Sequence, residues 1–162
     1  MMKSSRQVLA MLAASATMFL AGTATSQAQP REGIGIGIIA GEPSGISLKK
    51  WVDQTHAIDG AIALSLTDDN AFQVHVDYLF HDNSSLSTPE LKGATPWYYG
   101  IGGRLMSRDD DTHFGLRVPL GVTYLFADAP LDVFAEIAPV LDIAPETELD
   151  LGGGIGIRYY FR

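Results

Sequence analysis

The sequence of 162 residues contains no cysteine, so neither a disulfide framework nor a lipid on a thiol can hold the chain. Lysine is scarce: after residue 28 it occurs only at Lys49, Lys50 and Lys92, fewer than the exterior of a soluble domain usually carries. Basic residues are outnumbered, 11 against 19 acidic ones, for a formal charge of −8, which argues against nucleic acid as a partner. Past residue 28 no apolar run approaches the roughly 20 residues of a helical membrane span. A mature chain that crosses a membrane must therefore do so as a closed barrel, in which every backbone group is paired. No heptads and no tandem repeats are visible.

The first 28 residues have the organisation of a secretory signal peptide. Lys3 and Arg6 make a basic start, Val8 to Ala21 is largely apolar, and Ser26-Gln27-Ala28 presents small residues where a signal peptidase cuts. Ser15 and Thr17 interrupt the run, which is too short for a membrane anchor. Cleavage after Ala28 leaves residues 29–162 as one domain. It removes Lys3 and Arg6 and no acid, since the first acid is Glu32, so the charge moves from −8 to −10.

What the mature chain has in abundance is alternation. In LDLGGGIGIRYYF the residues Leu149, Leu151, Ile155, Ile157, Tyr159 and Phe161 share one face of a strand, and Asp150, Gly152, Gly154, Gly156, Arg158 and Tyr160 share the other. The first face is apolar and ends in aromatics. The second mixes charge with glycine, which suits a crowded interior. The same period of two runs through Ile34 to Ile38, Ile58 to Leu66, Phe72 to Phe80, Trp97 to Leu105, Leu116 to Tyr124 and Val133 to Ile137. The Gly33, Gly35 and Gly37 series keeps that period with no helix after it, so it is a strand and not a phosphate loop. Ile46 to Val52 makes a further strand whose facing the pattern leaves open. Pro119 removes a ladder donor and predicts a bulge or break in the sixth strand. The expected fold is all-β, an antiparallel up-and-down transmembrane β-barrel of eight strands, with both termini at one end. The long segment from His81 to Pro96 then falls at the terminus end, where turns are normally short. Either it packs beneath the barrel or the strand count is off by one.

This layout resembles the small eight-stranded bacterial outer-membrane barrels of the OmpX and OmpA transmembrane-domain type. From Arg117 to Phe161 it is similar to a family of uncharacterised bacterial outer-membrane barrel proteins. The resemblance implies an outer-membrane location among lipid and lipopolysaccharide, and a monomer without a cofactor. It also implies recognition of the C-terminal strand by the barrel-insertion machinery. The family usually ends on the recognised aromatic, whereas Arg162 follows Phe161 here.

Four histidines and many carboxylates invite a search for catalytic chemistry. His75 and Asp77 share a face with Asp59, and Ser84 and Ser85 follow His81, which could suggest the Ser-His-acid set of a lipid A deacylase. No deacylase motif surrounds His81, and the residues fit a polar lumen and a solvated loop better. Asp68, Asp69 and Asn70 in one turn, with Asp109, Asp110 and Asp111 in another, form an acidic rim without the spacing of a calcium loop. Neither a catalytic nor a metal site is assigned.

The inward set is Asp59, Asp77, Arg104, Arg117, Glu136 and Arg158. An eight-stranded barrel has an interior that side chains just fill, so these charges should pair across the lumen and plug it. The inward glycines should make room for Tyr98, Phe134 and Tyr160. If SRDDDT and TDDN close their hairpins about the middle, Arg104 lies nearly opposite Arg117, and Asp59 opposite Asp77. Asp77 is then expected beside Arg104, and Glu136 beside Arg117. Trp97, Tyr99, Tyr159 and Phe161 should form an aromatic girdle at the terminus end. The functional reading is a non-enzymatic outer-membrane barrel contributing to envelope structure or surface interaction. The alternatives are a lipid-modifying enzyme of the same membrane and a soluble, lipocalin-like periplasmic barrel whose apolar face lines a cavity.

Overall fold

The computed structural model describes residues 31–64, 72–82, 92–108 and 111–161. Residues 1–28, expected to be a signal peptide, and Asp68, Asp69, Asn70, Ser84, Ser85, Asp109, Asp110 and Arg162 lie outside the described residues. Among the described residues every element is a strand: β1 (Ile34–Glu42), β2 (Ser44–Trp51), β3 (His56–Leu64), β4 (Phe72–Asp82), β5 (Trp97–Arg108), β6 (Asp111–Arg117), β7 (Leu120–Leu125), β8 (Leu131–Ala144) and β9 (Glu148–Phe161). Each pairs antiparallel with its neighbour, and β1 pairs with β9 from Ile34↔Phe161 to Glu42↔Gly153, which closes the ring.

The nine strands fill eight positions, because β6 and β7 share the sixth. Both pair with β5 on one side and β8 on the other. The break falls at Val118 and Pro119, where proline has no N–H for the ladder. The backbone still bonds across it, through Gly100 N to Pro119 O at 2.9 Å and Val118 N to Pro139 O at 2.9 Å. Closure has a physical logic, since an open sheet of this length would leave two rows of unpaired backbone groups.

The alternation in the sequence becomes the two faces of the wall. Ile38, Ile62, Ile101, Leu105, Ile137, Leu151 and Ile155 stand exposed on the outside, whereas Asp59, Asp77, Arg104, Arg117, Asp132 and Arg158 are buried inside. The facing of β2 is now fixed. Ile46, Leu48 and Lys50 point outward, and Ser47, Lys49 and Trp51 inward.

β4 ends and β5 begins at the same end as Ile34 and Phe161, so the two flanks of the long connection are at the terminus end, and its residues 83–91 lie outside the described residues. Its last residues run beside β7: Ala94 and Leu125 exchange backbone bonds of 3.1 and 2.8 Å, and Thr123 N reaches Pro96 O at 3.0 Å. At the same end the β2–β3 turn is fastened by Asp53, whose Oδ1 accepts from the backbone N–H of Thr55 at 2.7 Å and of His56 at 2.8 Å. These donors, Thr55 first, hold the Asp53 carboxyl below the usual carboxylate range.

Inside, three aromatics each lie across a glycine on the neighbouring strand: Tyr98 across Gly121, Phe134 across Gly156, and Tyr160 across Gly35. A Cβ at any of these glycines would collide with the facing ring. We expect Gly156→Val to destabilise the refolded protein by about 1 to 3 kcal/mol or to prevent refolding, because Phe134 would have to leave its place. Ile155→Val, one residue away on the outer face, should be close to neutral. Urea titrations of the two variants compare them directly.

Candidate functional site

The densest chemistry in the molecule is the interior, and it is organised in three tiers along the barrel axis. Arginine dominates each tier. Its planar fork can bond two carboxylates at once, which a lysine ammonium does less well.

Nearest the termini, Arg158 on β9 donates from Nη2 to Asp59 on β3 and from Nε to Ser47 Oγ on β2 at 2.9 Å. Its Nη1 lies 3.7 Å from Asp132 Oδ2 on β8, and its guanidinium sits 3.7 Å from the centre of the Phe134 ring. Tyr160 completes the tier by donating to Asp132 at 2.6 Å. Beside it, Lys49 is only 1% exposed; its ammonium donates to His81 Nε2 at 2.8 Å and lies over the rings of Trp51 and Tyr98.

In the middle tier Arg117, also 1% exposed, donates from Nε to Asp77 Oδ2 at 2.8 Å and from Nη2 to Glu136 Oε1. The second oxygen of Glu136 accepts from the Tyr98 hydroxyl at 2.9 Å. His75 lies alongside, with Nε2 at 3.9 Å from Asp77 Oδ2. In the tier nearest the opposite mouth, Arg104 bridges Asp142 and Asp150, each at 2.6 Å. Asp150 is partly open to solvent, and Asp142 is not.

The structure thus brings Asp59, Asp77, Arg104, Arg117, Glu136 and Arg158 into one interior, but not with every neighbour that hairpin closure suggests. Asp59 does face Asp77. Arg104, however, faces His75 on β4 and Gly115 on β6, whereas Arg117 faces Gly102, so the two arginines are displaced by one inward position. Glu136 pairs with Arg117 as expected, although in register it faces Gly121, whereas Asp77 faces Gly102 and binds Arg117 instead of the expected Arg104. The pairing between Arg117 and its two carboxylates is therefore diagonal, made possible by the length of the arginine side chain and by the glycines beside it. Arg104 in turn takes acids outside that set of six, Asp142 and Asp150. Period-two counting from Glu136 and from Arg158 places both on the inward face, so the signal was present. Lys49 was missed because adjacent Lys49 and Lys50 put the same residue type on both faces.

The expected girdle residues are exposed at the terminus end of the outer wall. Trp97 and Tyr99 adjoin one another at 5.6 Å between centroids, Tyr99 stacks on Phe80 at 5.4 Å, and Tyr159 adjoins Phe161 at 4.9 Å. His81 is turned into the lumen and bound to Lys49.

Arg117→Ala strands two buried carboxylates, whereas Glu136→Ala leaves Arg117 with Asp77. We expect the first to cost about 3 to 5 kcal/mol and the second distinctly less. Combining Glu136→Ala with Arg117→Ala should be less damaging than the sum of the two. Denaturant titration in detergent measures all three, and equal, small losses would contradict the tiered pairing.

Comparison of the sequence with protein-family models and with curated proteins gives no match. Among solved structures, the chain is similar to the N-terminal β-barrel domain of Pseudomonas aeruginosa OprF, with a TM-score of 0.56 and 12% identity, over 82% of this chain and 100% of that domain. The likeness is one of fold: an all-β chain whose antiparallel strands close a ring of eight positions.

Proposed function

We propose that this chain is an integral outer-membrane β-barrel protein that acts without catalysis, through its wall and its exposed loops, in envelope structure or surface interaction. The observation that carries this reading is the inversion of the usual globular arrangement. Apolar side chains such as Ile38, Ile62, Ile101, Leu120, Ile137 and Leu151 ring the outside on every strand position, while charged side chains fill the inside. A wall of this kind is far larger than the apolar patches tolerated in water and matches the apolar band of a barrel in lipid. In a lipocalin-like soluble barrel the faces would be exchanged, with the ion pairs outside and the isoleucines around a cavity. Similarity of fold to the OprF barrel domain supports the same reading.

The tiers of ion pairs across the interior make the lumen a plug. Arg104, Arg117 and Arg158 each bridge side chains of different strands, and together they span the barrel from one end to the other. Trp97, Tyr99, Tyr159 and Phe161 would then stand at the periplasmic interface, where amphipathic rings are favoured.

Two measurements test the proposal. The mature protein should fractionate with the outer membrane and run at different mobilities on a detergent gel before and after boiling. In planar bilayers it should show no sustained open-channel current. Recovery in the soluble periplasmic fraction, with no shift on boiling, would overturn the membrane reading. A stable large conductance would overturn the plugged lumen.

A further inference from the structure

The outer wall is mostly bulky, but small residues face outward at Gly60 and Gly103, either side of Val76, and again across β1, β9 and β8. Across β1, β9, β8 and β7 the outward row consists of Ala40, Ile155, Ala135 and Val122, in register with one another, and Gly153 lies on the adjoining row. Ala40, Ala135 and Gly153 are small where their outward neighbours Ile38, Ile137 and Leu151 are large. The result is a cleft of about 530 Å³ lined by Ile38, Ala40, Tyr124, Ala135 and Ile157, with Thr95 among its walls. It adjoins a second depression that reaches Trp97 and Leu120.

Thr95 gives the cleft a chemical direction. Its hydroxyl oxygen is buried, yet among the described residues it has no hydrogen-bond partner. A hydroxyl in such surroundings is costly unless a ligand atom satisfies it. It lies on the segment that runs beside β7, at the terminus-end side of the cleft, and the rest of the lining is apolar apart from Thr123, whose hydroxyl donates to Val133 O. A ligand that fits both features has a long alkyl portion joined to an acceptor oxygen. In a membrane that description belongs to the acyl ester of a lipid, and with the termini periplasmic, as the membrane reading has them, the terminus end would face the glycerophospholipid leaflet.

Resting on the membrane reading above, we propose that this cleft holds one acyl chain of a glycerophospholipid, with the ester carbonyl accepting a hydrogen bond from the Thr95 hydroxyl. The alkyl chain lies over Ala40 and Ala135, where the wall is thin enough to admit it. Such a lipid would be bound individually, at a fixed place, and not as one of the exchanging lipids around the barrel.

The chain's two tryptophans make the test direct, since Trp51 is buried in the lumen and Trp97 is exposed on the wall beside the cleft. The mature protein, refolded in maltoside micelles, is titrated with phosphatidylethanolamine brominated on its acyl chains while tryptophan emission is followed. A bound lipid should quench Trp97 saturably near one lipid per protein. Ala135→Phe, which fills the cleft from an outward position, should shift half-saturation by tenfold or more. Thr95→Val should shift it roughly fivefold, the equivalent of one neutral hydrogen bond. The shift on boiling verifies that both variants are folded. Quenching that grows with lipid fraction without saturating, equally in all three proteins, would overturn the proposal and leave the membrane reading intact. Saturation unaltered by either substitution would overturn the location. A protein that stays dispersed without detergent and is never quenched would overturn both.

Discussion

A guanidinium enclosed by eight strand positions has almost no water to bond, so each interior arginine depends on carboxylates supplied by other strands. Arg158 binds across the ring to Asp59 on β3, Arg117 to Asp77 on β4 and Glu136 on β8, and Arg104 to Asp142 and Asp150 on β8 and β9. Burial of such groups is tolerable only when the pairing is complete, and incomplete pairing is costly. The network thus acts as a condition on the fold. The strands that deliver its members must hold the right register, and a shift by one residue would turn every charge toward the outside.

That condition explains the glycines. An interior crossed by arginine, tyrosine and phenylalanine side chains cannot also hold a side chain at every inward position. Gly121, Gly156 and Gly35 lie directly across from Tyr98, Phe134 and Tyr160, and Gly102 lies against Asp77. Space is left at one strand so that a larger group on the next can reach inward. Pro119 is accommodated on the same terms: the ladder loses one donor at the sixth position, and bonds on either side carry the pairing past it.

Inside and outside are linked through this arrangement. Because the interior charges pair largely with one another, the exterior is free to be apolar. The aromatics divide accordingly. Trp97 and Tyr99 point outward at the terminus end, whereas Tyr98 between them turns inward to Glu136. In the function proposed above, the wall and its surface contacts act, and the lumen holds that wall in shape.

The sequence alone determined the all-β class, the eight strand positions, the break at Pro119 and the inward membership of Asp59, Asp77, Arg104, Arg117, Glu136 and Arg158. Each is a local property: alternation needs only the period of two, and proline's missing N–H is written into the residue. The tertiary structure decided which arginine meets which acid, since a long side chain reaches diagonally and its partner depends on register and glycine clearance at once. It also decided the facing of β2, where Lys49 and Lys50 are identical by type and only the pairing with β1 and β3 sends Lys49 inward. The acids of Arg104 show both sides of this division. Asp142 and Asp150 are inward by simple counting, but only the closed ring, with β8 and β9 adjacent across from β5, brings them to one guanidinium.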